Sequence, residues 1–284
     1  MNVLPSETLH CCNCLEPVDA SDPSVTAIPH HGRIDYWCNE CIQGIPKEPS
    51  WEPAVVGLIP ARCGSTRIVG KNVKPLGGKP LMVWSIESAL ASGVFAEVYV
   101  CSDSLEYGEI ALAHGAQFLE RPYAPADESD IVWLTRALTI LHYPAFAILR
   151  PTSPFRTADT IRRAWREFLD GQPCDSLRAV EPVRQHPGKM WVERQGRLLP
   201  LLPFENAMSP WHSSATQSLP KVWMQNASLE IAWSRTVLEK GTIAGTNVLP
   251  FHTVGAEGCD VNSLLDWQEA ESIIAGRGND NRDA

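Results

Sequence analysis

Two stretches of this sequence concentrate residues that do chemistry: a doubled CxxC pattern near the N-terminus, and a run of cations with no acid among them. Cys11 and Cys14 form one CxxC pair and Cys38 and Cys41 the other, with 23 residues between the pairs. A CxxC turn sets two thiolates on one side of a tight knuckle, and two knuckles supply the four sulfurs of a closed tetrahedral Zn²⁺ site. A structural zinc is the expectation; four unrelated buried or redox thiols, or His30 or His31 replacing one thiol, are the alternatives. The second stretch, Ala54 to Ile86, contains Arg62, Arg67, Lys71, Lys74 and Lys79 but no Asp or Glu, in a chain with a net charge of −9. A polyphosphate needs several positive charges without steric crowding, so Gly64 for close backbone approach with Arg and Lys around it is a suitable combination. The spacing of RCGSTRIVGKN excludes a Walker A loop, because Gly64 to Gly70 has one residue too many and Asn72 stands where Ser or Thr would hold magnesium. A solvated basic loop is the plain alternative.

The elements that must position this loop follow from periodicity. An apolar run at Val55–Ala61 precedes it and a helical pattern at Pro80–Ser92 follows it. The alternation continues with a strand at Glu97–Ser102, a helix at Leu105–His114, the short strand QFLER, a helix at Asp130–His142, a strand at Ala145–Arg150 and a helix at Thr157–Leu169. Strands covered by crossover helices give an α/β fold with a doubly wound, mostly parallel sheet, whose ligands bind beyond the carboxyl ends of the strands. Residues from about 181 to 221 break the alternation with prolines, aromatics and one hairpin turning at Gln195 and Gly196. Such an insertion forms an interface or lid, or else a satellite core. Strands near Ser228–Trp233 and Val248–Val254 and a helix at Ser263–Ala275 complete the pattern. The domain plan is a cysteine module over 1–48, an α/β domain over 49–276 and a flexible tail over 277–284.

Composition narrows the classes further. With 44% hydrophobic and 20% charged residues the chain is globular, and it has no apolar run of the roughly 18 residues needed to cross a bilayer, so a membrane protein is excluded. The acidic balance argues against a nucleic-acid partner. The N-terminus shows no secretory pattern, and a cytoplasmic location is expected.

Five segments together resemble the acylneuraminate cytidylyltransferases, the CMP-sialic acid synthetases: IPARCGSTRIVGKNVKPLGGKPL (Ile59–Leu81), VYVCSDS (Val98–Ser104), GAQFLERP (Gly115–Pro122), RPTSPFR (Arg150–Arg156) and DVNSLLDWQEAE (Asp260–Glu271). The cysteine module lies outside that family's pattern. The resemblance implies transfer of CMP from CTP to an acidic nine-carbon sugar, with release of pyrophosphate and a need for Mg²⁺. It also implies that Arg62, Ser65 and Lys71 meet the triphosphate beside the Gly64 backbone, that Asn72 fixes the loop, and that Arg121 lies near the cytosine. Ser102 and Asp103 would line the nucleotide pocket. Asp260 begins the family's metal pair, whose second acid is Asn262 here, so Asp103 is a candidate second magnesium ligand; an N-cap role is the alternative for Asp260, and a turn residue for Asp103. Arg62, Lys71 and Asp260 are the implied catalytic set. On the acceptor side, Lys189 and Asn226 match family elements, and Arg150 replaces the usual Gln, which suggests a more acidic or differently substituted acceptor. A homodimer through the insertion is implied as well. Two other readings stay open: a cytidylyltransferase for another acid, such as a phosphonate, and a zinc-ribbon adaptor whose transferase site has decayed.

Overall fold

The computed structural model describes residues 9–10, 17–18, 25–30, 33–38, 53–65, 67–122, 128–202 and 210–280, with the backbone alone for those before 53 and for 277–280. The chain divides into two compact units, Met1–Pro53 and Ala54–Ala284. In the first, β1 (Leu9–His10) pairs antiparallel with β2 (Pro17–Val18), and β3 (Val25–His30) with β4 (Arg33–Cys38). Both β1 and β2 lie alongside β4. Cys11, Cys14 and Cys41, three of the four thiols of the zinc reading, lie outside the described residues, and Cys38 closes β4.

The second unit is built on a seven-stranded sheet. Its strands are β5 (Val55–Pro60), β8 (Glu97–Ser102), β9 (Gln117–Glu120), β10 (Ala145–Ile148), β11 (Ser176–Pro182), β14 (Trp223–Trp233) and β15 (Val248–His252), in the order β15-β11-β14-β10-β5-β8-β9. Apolar residues on both sides of a strand predict burial on both faces, and β5 shows it: Val55 and Ile59 join one core cluster, Val56 and Leu58 the other. The first core receives α1 (Leu81–Ser92), α2 (Leu105–Ala113) and α4 (Ala158–Asp170), and the second receives α3 (Asp130–Leu141) and α5 (Ser234–Leu238). Helix α4 shows why: Ile161, Ala164, Trp165 and Phe168 are buried at i, i+3, i+4 and i+7, and Thr157 starts the helix with a capping box.

The sheet departs from the expected pattern at one strand. β14 runs antiparallel to both neighbours, and it begins at Trp223, ahead of the Ser228 read from sequence. The insertion accounts for this, since an antiparallel return needs no crossover helix. Strand β11, with Arg178 and Glu181 in it, was not legible as a strand at all. The predicted hairpin is present as β12 (Trp191–Arg194) and β13 (Arg197–Pro200), with Gln195 at φ 52° and Gly196 at φ 71°, the two positive values of a type I′ turn. The last helix, α6 (Leu264–Asp280), continues through residues 277–280, which the sequence reading assigned to the tail. Among the described residues no helix is long and apolar enough to cross a membrane.

A third, smaller core supports the cationic loop. Ile68, Leu76, Leu81, Phe155, Val261, Trp267 and Ala270 pack together, bringing the small hairpin β6 (Pro75–Leu76) and β7 (Lys79–Pro80) against α6. The Trp267 indole donates to Glu271 Oε1 at 3.1 Å, and its ring carries Lys74 Nζ 4.5 Å from the centroid. Truncation of Trp267 to Ala should therefore cost about 3–5 kcal/mol in urea unfolding, the range for emptying a buried aromatic site. A loss below about 1 kcal/mol would show that this cluster does not buttress the loop.

Candidate nucleotide-binding site

A cavity of about 260 Å³ opens at the carboxyl ends of β5, β9 and β10, where an open parallel sheet binds ligands. The loop after β5 gives it Pro60, Arg62, Ser65, Arg67, Lys71 and Asn72. Arg121 follows β9, Glu128 and Asp130 stand at the start of α3, and Arg150, Pro151 and Thr152 follow β10.

The loop is fixed at both ends. Asn72 Nδ2 donates to the Arg62 carbonyl at 3.0 Å, and the Asn72 carbonyl accepts from Met82 N at 2.9 Å, which ties the loop to the start of α1. At Gly64 a Cβ would meet nothing within 4 Å, so the missing side chain leaves open space over the backbone. Asp103 holds the other end: Oδ1 accepts from Cys63 N at 2.9 Å, and Oδ2 from the Cys63 thiol at 3.4 Å. Asp103 therefore clamps the loop through Cys63. Ser102, the last residue of β8, is fully buried and its hydroxyl accepts from Ser104 N at 3.1 Å.

Lys71 is the most buried cation of the loop. Its ammonium donates to the Val261 carbonyl at 3.0 Å and to Asn262 Oδ1 at 3.3 Å. Burial pushes its pKa down; Asp260 pulls it back up, and Arg67 and Arg62 push it further down. Arg67 Nη2 also donates to Asn262 Oδ1, at 3.3 Å, while Asn262 Nδ2 donates to Asp260 Oδ2. One neutral amide thus joins two cations to one carboxylate. The segment is held in place by Val261 N, which donates to the Thr152 carbonyl at 2.8 Å, and by Asp266, which accepts from the backbone of Asn262 and Ser263. Asp260 Oδ1 is buried with no hydrogen-bond partner. A desolvated carboxylate oxygen left unpaired is costly, and it fits Mg²⁺, which takes one or two carboxylates and otherwise waters and phosphate oxygens. Among the described residues no group of three or more His, Cys, Asp or Glu could hold a metal, and each oxygen of Asp103 accepts one hydrogen bond from Cys63.

The other wall is charge-paired. Arg121 Nη2 reaches Glu128 Oε2 at 3.4 Å, and its guanidinium lies 5.8 Å from the Trp133 ring centroid. Arg150 Nη2 donates to Asp130 Oδ2 at 2.6 Å and to Glu230 Oε1 at 2.8 Å, and Arg178 pairs with Glu230 from the far side. Sheet register explains the meeting: Glu230 on β14 is opposite Ile148 of β10 and Arg178 of β11, and Arg150 follows Ile148 by two residues. Sequence reading missed Asp130, Arg178 and Glu230 because no motif marks them; their common site exists only once the strands are paired. Two further acceptor-side candidates are held by their own hydrogen bonds. Asn226 is buried with its amide donating to Glu181 and Thr253 and accepting from Ser228 N, and Lys189 donates to the carbonyls of His212 and Ser214 inside the insertion.

The clamp at Cys63 gives a test. Burial first, then the hydrogen bond and charge of Asp103, push the Cys63 thiol above its ordinary pKa. Replacing Asp103 by Asn should lower that pKa, so Cys63 should react faster with iodoacetamide at pH 8, followed by peptide mass spectrometry. An unchanged rate would mean that the clamp is not formed.

Residues 56–186 match the family described as Cytidylyltransferase. Over 231 residues the chain is 30% identical to a pseudaminic acid cytidylyltransferase of Campylobacter jejuni, with 76% of this chain and 94% of that protein covered. It is 28% identical over 233 residues to the CMP-N,N'-diacetyllegionaminic acid synthase of Legionella pneumophila, with 78% and 96% covered. A solved CMP:2-keto-3-deoxy-manno-octonic acid synthetase complexed with CTP shares the fold, at a TM-score of 0.61 and 16% identity over 79% of this chain and 99% of that one. A relative matched at 30% identity along nearly its whole length, together with the cationic loop at the head of the same α/β sheet, places this chain in the cytidylyltransferase family.

Proposed function

We propose that this protein transfers CMP from CTP to the anomeric hydroxyl of a nonulosonic acid of the sialic or legionaminic type, releasing pyrophosphate. The carrying observation is the cavity in which Arg62, Arg67 and Lys71 converge beside the open backbone at Gly64. The relatives named for pseudaminic and legionaminic acids support this acceptor class. Attack on an α-phosphorus gains most from positioning and charge neutralisation. In this reading Arg62, Ser65 and Lys71 bind the triphosphate, Asn72 holds the loop to α1, Arg121 meets the cytosine and Arg150 the acceptor. Lys71 is poised for that task, since its buried charge is disfavoured until an anion arrives. Asp260, through its free Oδ1, would hold Mg²⁺, whose contribution is neutralisation of phosphate charge.

Purified protein with CTP, Mg²⁺ and a panel of sugar acids should release pyrophosphate. Lys71→Met should lower kcat/KM by about 10²-fold or more, the usual effect of deleting one preorganised donor, and Asp260→Asn should do likewise. Release with a phosphonate and with none of the sugar acids would replace the acceptor. A melting temperature unmoved by CTP with Mg²⁺ would instead favour the adaptor reading.

We further propose that the N-terminal unit is a zinc module in a cytoplasmic homodimer. The support for zinc is the doubled CxxC spacing of Cys11 and Cys14 with Cys38 and Cys41. The support for a dimer is the insertion's exposed apolar surface, with Trp191, Leu198, Leu199 and Leu201 all above 40% exposed. In such a dimer Lys189, carried on the insertion, serves the partner's acceptor site. Light scattering with elemental analysis should give two chains and two zinc ions per particle; a zinc-free monomer would overturn both statements.

A further inference from the structure

The charge of Arg150 is not available to a ligand as an isolated charge. It is bound by Asp130 and Glu230, and Glu230 is shared with Arg178, so two guanidinium groups meet two carboxylates. Glu230 is nearly inaccessible, with 4% of its side chain exposed, whereas Arg150 and Asp130 keep 29% and 33% and both line the cavity. Asp130 is held from a second side as well, by the Trp133 indole donating to its Oδ1 at 2.8 Å. Although burial pushes its carboxyl up, the charge of Arg150 and the bonds from Trp133 and Arg150 hold it below the ordinary carboxylate range. The neighbouring Arg121 is likewise matched by Glu128.

The carboxylates lining the cavity are thus both on this wall, and the cations of the other wall lie on the loop after β5. An extra anionic group brought to Arg150 meets Asp130 at once, and like charges at such separations repel by kilocalories where water is partly excluded. A neutral hydroxyl or acylamino group meets a different environment. It can accept from the guanidinium and donate to Asp130, using hydrogen-bond capacity that the ion pairs leave over, since guanidinium carries five N–H donors and a carboxylate about four acceptor sites.

We propose that Asp130 is a specificity-determining residue, which with Glu230 cancels the charge of Arg150 so that this wall accepts neutral hydroxyl or acylamino substituents and refuses a second acid group. This rests on the acceptor reading given above and reverses one expectation of the sequence: arginine in place of glutamine at position 150 does not make the acceptor end more acidic-seeking.

The test compares two acceptors in the presence of CTP and Mg²⁺: an acylamino monocarboxylic sugar acid, and the same acid phosphorylated on its side chain. Binding is read by calorimetry and thermal shift, and turnover by pyrophosphate release. Wild-type protein should bind the first at least tenfold more tightly than the second, a difference of about 1.4 kcal/mol. Asp130→Asn, which keeps the size and the acceptor for Trp133, should narrow that ratio at least fivefold, chiefly by tightening the phosphorylated acid. Arg150→Gln should widen it, because Asp130 is then unmatched, and the double variant should return towards the wild-type ratio. A ratio unchanged within twofold in both single variants, or no binding of either acid by wild type, overturns the proposal. Binding discrimination without pyrophosphate release would uphold this inference while removing the proposed reaction.

Discussion

The ammonium of Lys71 is buried, yet its hydrogen-bond partners are neutral: the Val261 carbonyl and the Asn262 amide oxygen. A carboxylate in direct contact would satisfy the charge and leave little attraction for an incoming phosphate. A carbonyl and an amide satisfy the donors and leave the charge standing. The rest of the site follows from keeping that charge in place. The third core packs Val261 and Trp267 beneath the loop, Asn72 draws the loop to α1, and Asp103 holds Cys63 at the other end. Arg67 shares Asn262 with Lys71, so the residue that spaces the cations also ties them to Asp260.

The two walls of the cavity treat charge in opposite ways. On the loop, Lys71 and Arg67 donate to neutral groups beside an open backbone; on the α3 wall Arg121 and Arg150 each have a carboxylate within hydrogen-bonding or ion-pairing reach. In the proposed reading a polyanion is drawn to the first wall, and neutral polar groups suit the second. The chain's overall negative charge conceals this division, because net charge bears on solubility and encounter and says little about a cavity of about 260 Å³.

What could be read in the sequence was local. The apolar run of β5, the spacing along α4 and the turn at Gln195 and Gly196 each rest on a few neighbouring residues, and the structure repeats them closely. The cations of the loop were legible for the same reason. Contacts between distant segments were not. The resemblance assigns Ser102 and Asp103 to the pocket, and their bonds to Ser104 and Cys63 could not be read from the motif. Asn226 matched a motif, but its bonds to Glu181 and Thr253 join segments far apart in the chain. Arg178 made β11 read poorly as a strand, although its charge is matched by Glu230 directly across the register.

That register also separates what can be redesigned at this wall from what cannot. Ile148, Glu230 and Arg178 lie on one rung of three adjacent strands, so a slip of one residue in either pairing would turn Glu230 to the opposite face of the sheet. Folding and recognition are locked together at Glu230. Asp130 is free of that lock, since it opens a helix and borders the cavity without belonging to the sheet. A library meant to move this enzyme toward new acceptors should accordingly randomise the start of α3 and leave β14 untouched.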